Sequence, residues 1–147
     1  LAPDLYHGVV VNEDTEAEKL FEGLDVSRAE SDMRGAAQYL RSRPEVASRT
    51  VGITGFCMGG QLALLAATQQ PEAYGAVVDF YGVHPGVRPD FSRLSTPVLG
   101  LFAGASDPYI SPQDIEQLSG HLRSTAGPAE FFVYDDEDHA FFNVTDP

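Results

Sequence analysis

The clearest chemistry in this sequence belongs to its one cysteine, Cys57. It lies in the run Gly55-Phe56-Cys57-Met58-Gly59-Gly60, between an apolar segment and a segment rich in alanine and leucine. A nucleophile at the apex of a strand-to-helix turn adopts strained dihedrals, and small residues two before and two after it let the strand and helix approach. Gly55 and Gly59 meet that need. The first N–H groups of the following helix would favour a thiolate, so the pattern predicts an activated thiol. A small, buried and unreactive cysteine is the alternative.

An acid and a base follow two later apolar runs. Asp107 lies in Gly104-Ala105-Ser106-Asp107-Pro108, after the run 98–103, and His139 lies in an acidic loop after the run 130–134. Functional groups collect at the carboxyl ends of parallel strands, so we expect these side chains to meet Cys57. Each also has a simpler explanation: Asp107 could only initiate a turn, and His139 could be a surface histidine among acids.

These three residues suggest a division of labour. Cys57 would attack a carbonyl carbon, His139 would carry the proton, and Asp107 would orient the imidazole and stabilise its cation. The backbone N–H of Met58 would donate one hydrogen bond to the oxyanion. The second donor normally comes from an earlier loop, outside this sequence.

Other side chains close to these motifs or to the ends of predicted strands are candidates for lining a substrate pocket. They are aromatic rings, histidines and one amide: Tyr6, His7, Phe56, Tyr81, His84, Phe141 and Asn143. His121 falls beside the apolar stripe of a predicted helix, where a boundary residue is expected.

Composition limits the function classes. With 147 residues, 43% of them hydrophobic and 21% charged, one globular domain is expected. Nine basic and twenty-two acidic residues give a net charge of −13, which disfavours nucleic acids and anionic membranes as partners. One cysteine excludes an internal disulfide, and no Cys/His spacing suggests a metal site. A single cysteine fits a reducing cytoplasm, and the oligomeric state stays open.

The apolar pattern alternates between strands and helices. Helices are predicted at residues 15–23, capped by Asp14 or Thr15, at 27–42, at 58–68 and from Ser111 onwards, and strands at 51–55, 76–81, 98–103 and 130–134. Continuous apolar runs with short connections are typical of parallel strands covered on both faces. The sequence thus predicts an α/β fold with a mostly parallel, doubly wound sheet.

Five segments, in order along the whole chain, resemble the dienelactone hydrolase (carboxymethylenebutenolidase) family. They are Pro3-Asp4-Leu5-Tyr6, the cysteine turn, Phe80-Tyr81-Gly82-Val83, Gly104-Ala105-Ser106-Asp107 and His139-Ala140-Phe141. The resemblance implies an α/β-hydrolase fold and a cytoplasmic carboxylic ester hydrolase with a Cys-His-Asp triad, a thioester intermediate and no cofactor. Residues 1–6 read as the end of a buried strand, and no closing helix follows Asn143. We therefore expect residues 1–147 to be the interior portion of a single α/β-hydrolase domain, without its first strands and last helix.

Two positions depart from the family pattern. As the resemblance has it, arginines that hold the substrate carboxylate lie two residues after the tyrosine of Pro-Asp-Leu-Tyr and four after the catalytic histidine. Here those positions hold Gly8 and Asn143. An anionic lactone would lose charge-assisted hydrogen bonds worth about 1.5–3 kcal/mol each. We expect an ester or enol-lactone hydrolase whose substrate differs from dienelactone itself. The family's resting-state glutamate would precede Leu1.

Two alternatives come from other classes. The segment Gly55 to Gln61 also matches the GxCxGxQ turn of class I glutamine amidotransferases, which place a glutamate two residues after the histidine, where this chain has Phe141. The second alternative is a non-catalytic or redox-sensing relative in which Cys57 is inert or oxidised.

Overall fold

The computed structural model describes residues 1–124 and 127–143. The chain divides into two compact units, Leu1–Ala47 and Ser48–Pro147. The expectation of one domain over residues 1–147 stays a prediction, and the end of the chain after residue 143 lies outside the described residues.

The first unit consists of a turn and two helices, α1 (Asp14–Glu22) and α2 (Val26–Ser42). Asp25 caps α2 because its carboxylate accepts a hydrogen bond from the Arg28 N–H at 3.1 Å. The predicted cap of α1 is wrong: Glu13 occupies the cap position, its side chain makes no capping hydrogen bond, and Asp14 lies in the first turn, where a carboxylate suits the helix dipole.

The predicted buried strand at residues 1–6 is also wrong. Residues 1–4 have no regular structure, and Leu1 is 72% exposed. The chain turns at Asp4 instead, because its carboxylate accepts hydrogen bonds from the N–H groups of Tyr6 and Gly8 at 3.0 and 2.6 Å. These bonds hold the pKa of Asp4 below its ordinary value. A local side-chain turn therefore replaces the expected strand pairing.

The second unit is built on four strands, β1 (Val51–Phe56), β2 (Tyr74–Phe80), β3 (Val98–Ala103) and β4 (Ala129–Tyr134). They lie in the order β1-β2-β3-β4, and every neighbouring pair is parallel. This confirms the α/β class and the parallel sheet. The carboxyl ends of all four strands consequently lie at one edge of the sheet.

Two helices connect these strands, α3 (Met58–Gln69) between β1 and β2, and α4 (Pro112–Ser124) between β3 and β4. Helix α3 carries no charged residue, and almost all of it is buried, including Leu62 and Leu64 at 1% and 0% exposure. Helix α4 buries only one stripe, Ile115, Leu118 and Leu122. Ser111 caps it as predicted, since Ser111 Oγ accepts from the Asp114 N–H and the Asp114 carboxylate accepts from the Ser111 N–H.

Cys57 occupies the turn between β1 and α3 in a strained conformation, with φ 54° and ψ −130°. A Cβ atom at Gly55 would collide with the carbonyl group of Gly59, so the absence of a side chain there lets the strand and helix cross. Gly59 contradicts the expectation, because a Cβ on it would meet nothing within 4 Å. The second glycine that the packing requires is Gly60, whose Cβ would lie 2.9 Å from Cγ of Asp79.

This difference gives a matched pair of variants. Gly55→Ala should lower the free energy of unfolding by about 1–3 kcal/mol or more, because the backbone of Gly59 must shift. Gly59→Ala should leave stability unchanged or raise it by up to about 1 kcal/mol, because alanine favours the helix. Urea unfolding followed by circular dichroism measures both. Equal losses for the two variants would contradict the described packing of the turn.

Candidate active site

The Cys57 side chain is half-buried at the carboxyl edge of the sheet. Its backbone N–H donates to the Phe80 carbonyl oxygen at 2.9 Å, which continues the β1–β2 ladder one residue past the strand. Met58 begins α3 directly after Cys57, so its N–H has no acceptor within the helix. Sulfur and helix start are therefore placed together by the strand that precedes them.

The three residues predicted to act together do converge. His139 Nε2 lies 3.4 Å from Cys57 Sγ, and His139 Nδ1 lies 2.9 Å from Asp107 Oδ2. The side chains of His139 and Asp107 are 12% and 1% exposed. This is a continuous hydrogen-bond chain from a buried carboxylate through an imidazole to a thiol, an arrangement that can move a proton between sulfur and nitrogen.

Asp107 both makes a turn and faces the base. Its Oδ1 accepts from the N–H groups of Tyr109 and Ile110 at 2.8 and 3.0 Å, which leaves Oδ2 directed at His139. The turn expected at Asp107 is therefore present, and it orients the carboxylate toward His139.

Hydrogen bonds join the loop that carries Asp107 to the loop that carries His139. Gly104 N–H donates to the Tyr134 carbonyl oxygen at 2.9 Å, and Ser106 Oγ donates to the Glu137 carbonyl oxygen at 2.8 Å. A Cβ at Gly104 would lie 2.6 Å from Cα of Asp135, so glycine is needed for the two loops to approach. These contacts fix the separation of Asp107 and His139.

Two tyrosines flank the imidazole. The rings of Tyr81 and Tyr109 lie 5.1 and 4.9 Å from the His139 ring, centroid to centroid. Burial raises the pKa of the Tyr81 phenol, the Cys57 charge raises it further, and a hydrogen bond from the Phe142 N–H opposes both. The phenol therefore lies close to the sulfur and to the loop that carries His139.

Tyr109 was not among the sequence candidates. It is 76% exposed, yet its ring meets His139 edge-on. Its position two residues after Asp107, in the same turn, is the one signal that could have identified it.

Phe56 and Phe141, two of the remaining pocket candidates, pack among aromatic rings. Phe56 stacks on Phe80 and Phe142 at 4.8 and 5.3 Å. Phe141 contacts Tyr81 edge-on at 5.1 Å. Phe56, Phe80, Tyr81, Phe141 and Phe142 form an aromatic cluster that contacts His139 through Tyr81.

Asn143 closes the turn after His139, because its N–H donates to the Ala140 carbonyl oxygen at 2.7 Å, and its side chain is exposed. His84 belongs to another turn, in which its Nδ1 accepts from the Gly86 N–H at 3.1 Å. Their predicted contact with substrate stays a prediction.

Tyr6 and His7 belong to the first unit. His7 adopts φ 54°, and its Nε2 lies 2.8 Å from Asp32 Oδ2. Partial burial raises the pKa of the Tyr6 phenol. Their predicted role in a pocket is not tested by these contacts.

The described residues show neither a cluster of metal ligands nor a membrane-spanning helix. Within 1–124 and 127–143, no group of three or more His, Cys, Asp or Glu side chains is arranged to hold a metal ion. No helix in the same ranges combines the length and the apolar character needed to cross a bilayer.

The chain is similar to known proteins along its whole length. The model of the dienelactone hydrolase family matches residues 1–147. A carboxymethylenebutenolidase of Rhodococcus opacus is 33% identical over 108 residues, 67% of this chain and 42% of that protein. Protein usf of Aquifex pyrophilus is 25% identical over 145 residues, 97% of this chain and 62% of that protein. The chain thus spans less than two thirds of these relatives.

Solved structures show the same architecture. The structure named m3DLH superposes with a TM-score of 0.76 at 29% identity, covering 95% of this chain and 59% of the other. A dienelactone hydrolase of Anabaena variabilis superposes with a TM-score of 0.66 at 24% identity, covering 92% of this chain and 61% of the other. Both likenesses confirm the expected α/β-hydrolase fold.

The contact between His139 and Cys57 predicts a reactive thiol. Iodoacetamide should alkylate Cys57 faster at pH 7 than it alkylates a free thiol, and His139→Ala should slow the reaction about tenfold, because the imidazole no longer takes the thiol proton. Mass spectrometry of the modified protein gives the rate. His121→Ala is the control, since His121 stacks on Phe91 rather than facing the sulfur. A rate equal to that of the free thiol would mean that Cys57 is not activated.

Proposed function

Because the chain belongs to the dienelactone hydrolase family, we propose that it cleaves an activated ester or enol-lactone with Cys57 as nucleophile. The observation that carries this proposal is the unbroken chain from Asp107 through His139 to Cys57, with separations of 2.9 and 3.4 Å. The proposed activity is that of a carboxylic ester hydrolase working through a thioester.

The first half of the reaction forms the thioester. His139 Nε2 takes the thiol proton, and the sulfur attacks the carbonyl carbon of the ester. The oxyanion that forms accepts a hydrogen bond from the Met58 N–H at the start of α3, where the helix dipole also favours negative charge. The carbon–oxygen bond to the leaving alcohol then breaks, and the imidazolium gives its proton to that alcohol.

The second half regenerates the thiol. His139 takes a proton from a water molecule, the resulting hydroxide attacks the thioester carbonyl, and the carbon–sulfur bond breaks. The proton on the imidazolium returns to the sulfur as the acid product leaves. Asp107 accepts the Nδ1–H bond throughout, which fixes the tautomer and stabilises the imidazolium in both halves.

The surroundings of the site favour an uncharged substrate. Asp135, Asp136, Glu137 and Asp138 precede the base and are all exposed. Asn143, four residues after His139, carries no charge with which to hold a carboxylate. The rings of Phe56 and Phe142, 42% and 58% exposed beside the triad, offer apolar contact instead. We therefore propose neutral esters or lactones as substrates.

The glutamine amidotransferase alternative is the weaker one. Phe141, two residues beyond His139, packs against Tyr81 in the aromatic cluster, and the acid that reaches the base comes from the loop after β3. Ammonia release from glutamine without ester turnover would favour that alternative over the proposal.

Removal of the sulfur tests the mechanism. Cys57→Ala should abolish hydrolysis of p-nitrophenyl acetate, a loss of about 100-fold or more, because the sulfur that lies 3.4 Å from His139 Nε2 and would form the thioester is removed. Cys57→Ser should also be poor, since a hydroxyl ionises far less readily than a thiol. Release of p-nitrophenolate measures the rate, and circular dichroism checks that the fold persists. Activity near that of the unaltered protein would refute the role of Cys57.

The preference for uncharged substrates has its own test. The kcat/KM for p-nitrophenyl butyrate should exceed that for p-nitrophenyl hemisuccinate about tenfold, which corresponds to about 1.4 kcal/mol of unfavourable interaction with the added carboxylate. Asn143→Arg should narrow the ratio by supplying a cation, and Asn143→Gln is its uncharged control. An equal or higher kcat/KM for the hemisuccinate would show that another cation holds the carboxylate.

A further inference from the structure

A carboxyl group lies buried beneath the nucleophile turn, outside the triad. Asp79, near the end of β2, is 1% exposed. Its register partners in β1 and β3 are Gly55 and Gly100, so no side chain flanks it on either neighbouring strand. The first turn of α3 packs against its carboxyl group at Gly60.

Asp79 contacts the backbone that shapes the turn. Its carboxyl group occupies the positions where side chains of Gly60 and Gly82 would begin, since a Cβ at Gly60 would lie 2.9 Å from Asp79 Cγ and one at Gly82 would meet Asp79 Oδ1. The same point beside Gly82 is 2.7 Å from the Cys57 carbonyl oxygen and 2.6 Å from the Gln61 nitrogen. The carboxyl group is thus wedged between the first turn of α3 and the segment after β2.

This burial has no compensating charge. Neither carboxyl oxygen has a hydrogen-bond partner of good geometry among the described residues. The elements packed around Asp79 are β1, α3 and β3, which carry no charged residue. The titratable groups near it are Cys57 at the start of α3 and Tyr81 two residues along the chain. Burial raises the pKa of Asp79 well above its ordinary value, and the Gly82 N–H offsets only part of this.

We propose that Asp79 is a positioning residue for the candidate site: its carboxyl group, enclosed between Gly60 and Gly82, holds the turn that carries Cys57 and the backbone that directs Tyr81 toward His139. The inference rests on the proposed function of Cys57 and His139. It adds to that function a residue that touches neither substrate nor triad.

The link to His139 runs through Tyr81. Tyr81 adopts φ 42°, a conformation that is costly for an aromatic residue unless its neighbours hold it. Asp79 lies two residues before Tyr81 and Gly82 directly after it, and the Tyr81 N–H donates to the Leu101 carbonyl oxygen at 2.8 Å. The ring held in this way lies 5.1 Å from the His139 ring.

The protonated form of Asp79 matters because it places no negative charge beneath Cys57. A negative carboxylate beneath Cys57 would oppose the negative charge that develops on the sulfur and on the oxyanion. A protonated carboxyl group has the same shape without that charge. It can also donate a hydrogen bond to a nearby backbone carbonyl, as a side-chain amide can.

Two variants separate shape from charge in the enzyme assay. Asp79→Ala should lower kcat about tenfold or more with KM changed less than about twofold, because the turn loses its support while the pocket keeps its lining. Asp79→Asn should restore most of kcat, because the amide is neutral and has nearly the same shape. Wild-type kcat in Asp79→Ala, or a loss in Asp79→Asn as large as that in Asp79→Ala, would overturn the proposal. The rate at which iodoacetamide labels Cys57 in the same variants reports on the turn even if no ester is hydrolysed. Failure of the proposed activity can therefore be distinguished from failure of the proposed role of Asp79.

The pH dependence of stability tests the protonation state independently. A carboxyl group whose pKa is raised by folding keeps its proton in the native state while the unfolded chain releases it, so stability falls as pH rises above about 4. In urea unfolding, the unfolding equilibrium constant of the wild type should therefore rise relative to that of Asp79→Asn by up to about tenfold per pH unit, until the native carboxyl ionises. Asp79→Asn thus becomes the more stable of the two as pH rises. Glu72→Gln, at an exposed position, should show no such gain. A difference between Asp79→Asn and the wild type that is independent of pH from 4 to 8 would mean that Asp79 is charged in the native state, and would overturn the proposal.

Discussion

The strained backbone of Cys57 is the constraint from which the rest of the site follows. A residue with φ 54° and ψ −130° persists only where its surroundings determine it completely. Here the Cys57 N–H is held by the β1–β2 ladder, and the next residue already belongs to α3. The absence of a side chain at Gly55 lets helix and strand cross closely enough to enforce this geometry. The stability of the buried helix α3 therefore maintains the strain that exposes the sulfur.

Parallel pairing explains how residues distant in sequence can meet there. Asp107 and His139 are carried by loops after β3 and β4, and hydrogen bonds of the ladder type continue one residue beyond the strands at Cys57, Tyr81 and Gly104. These bonds extend the hydrogen-bonded sheet to the first residue of each loop after β1, β2 and β3. Only a few residues remain between the sheet and each reacting group, which is why side-chain turns such as that of Asp107 suffice to set the final orientation.

The sequence predicted what depends on pattern and missed what depends on packing. The strands, the helices and the meeting of Cys57, Asp107 and His139 were predictable, because these three residues follow apolar runs whose carboxyl ends share one edge of the sheet. The exposed ring of Tyr109 gave no such signal, since its role depends on the turn that Asp107 makes. The choice of Gly59 over Gly60 failed for the same reason: spacing from the cysteine does not reveal that Asp79 lies beneath the second glycine. The strand expected at the N-terminus failed because Asp4 satisfies the backbone locally.

Charge distribution connects the site to the proposed substrate. A protein with a net charge of −13 repels anions, and a nucleophilic thiolate adds one more negative charge where the substrate must bind. Asp107, the carboxylate that the proposed mechanism uses, is paired with the His139 imidazole. A neutral Asp79 would keep a second buried charge away from the sulfur. A substrate carboxylate would upset this balance without an arginine to receive it, so the electrostatics of the site favour an uncharged acyl group.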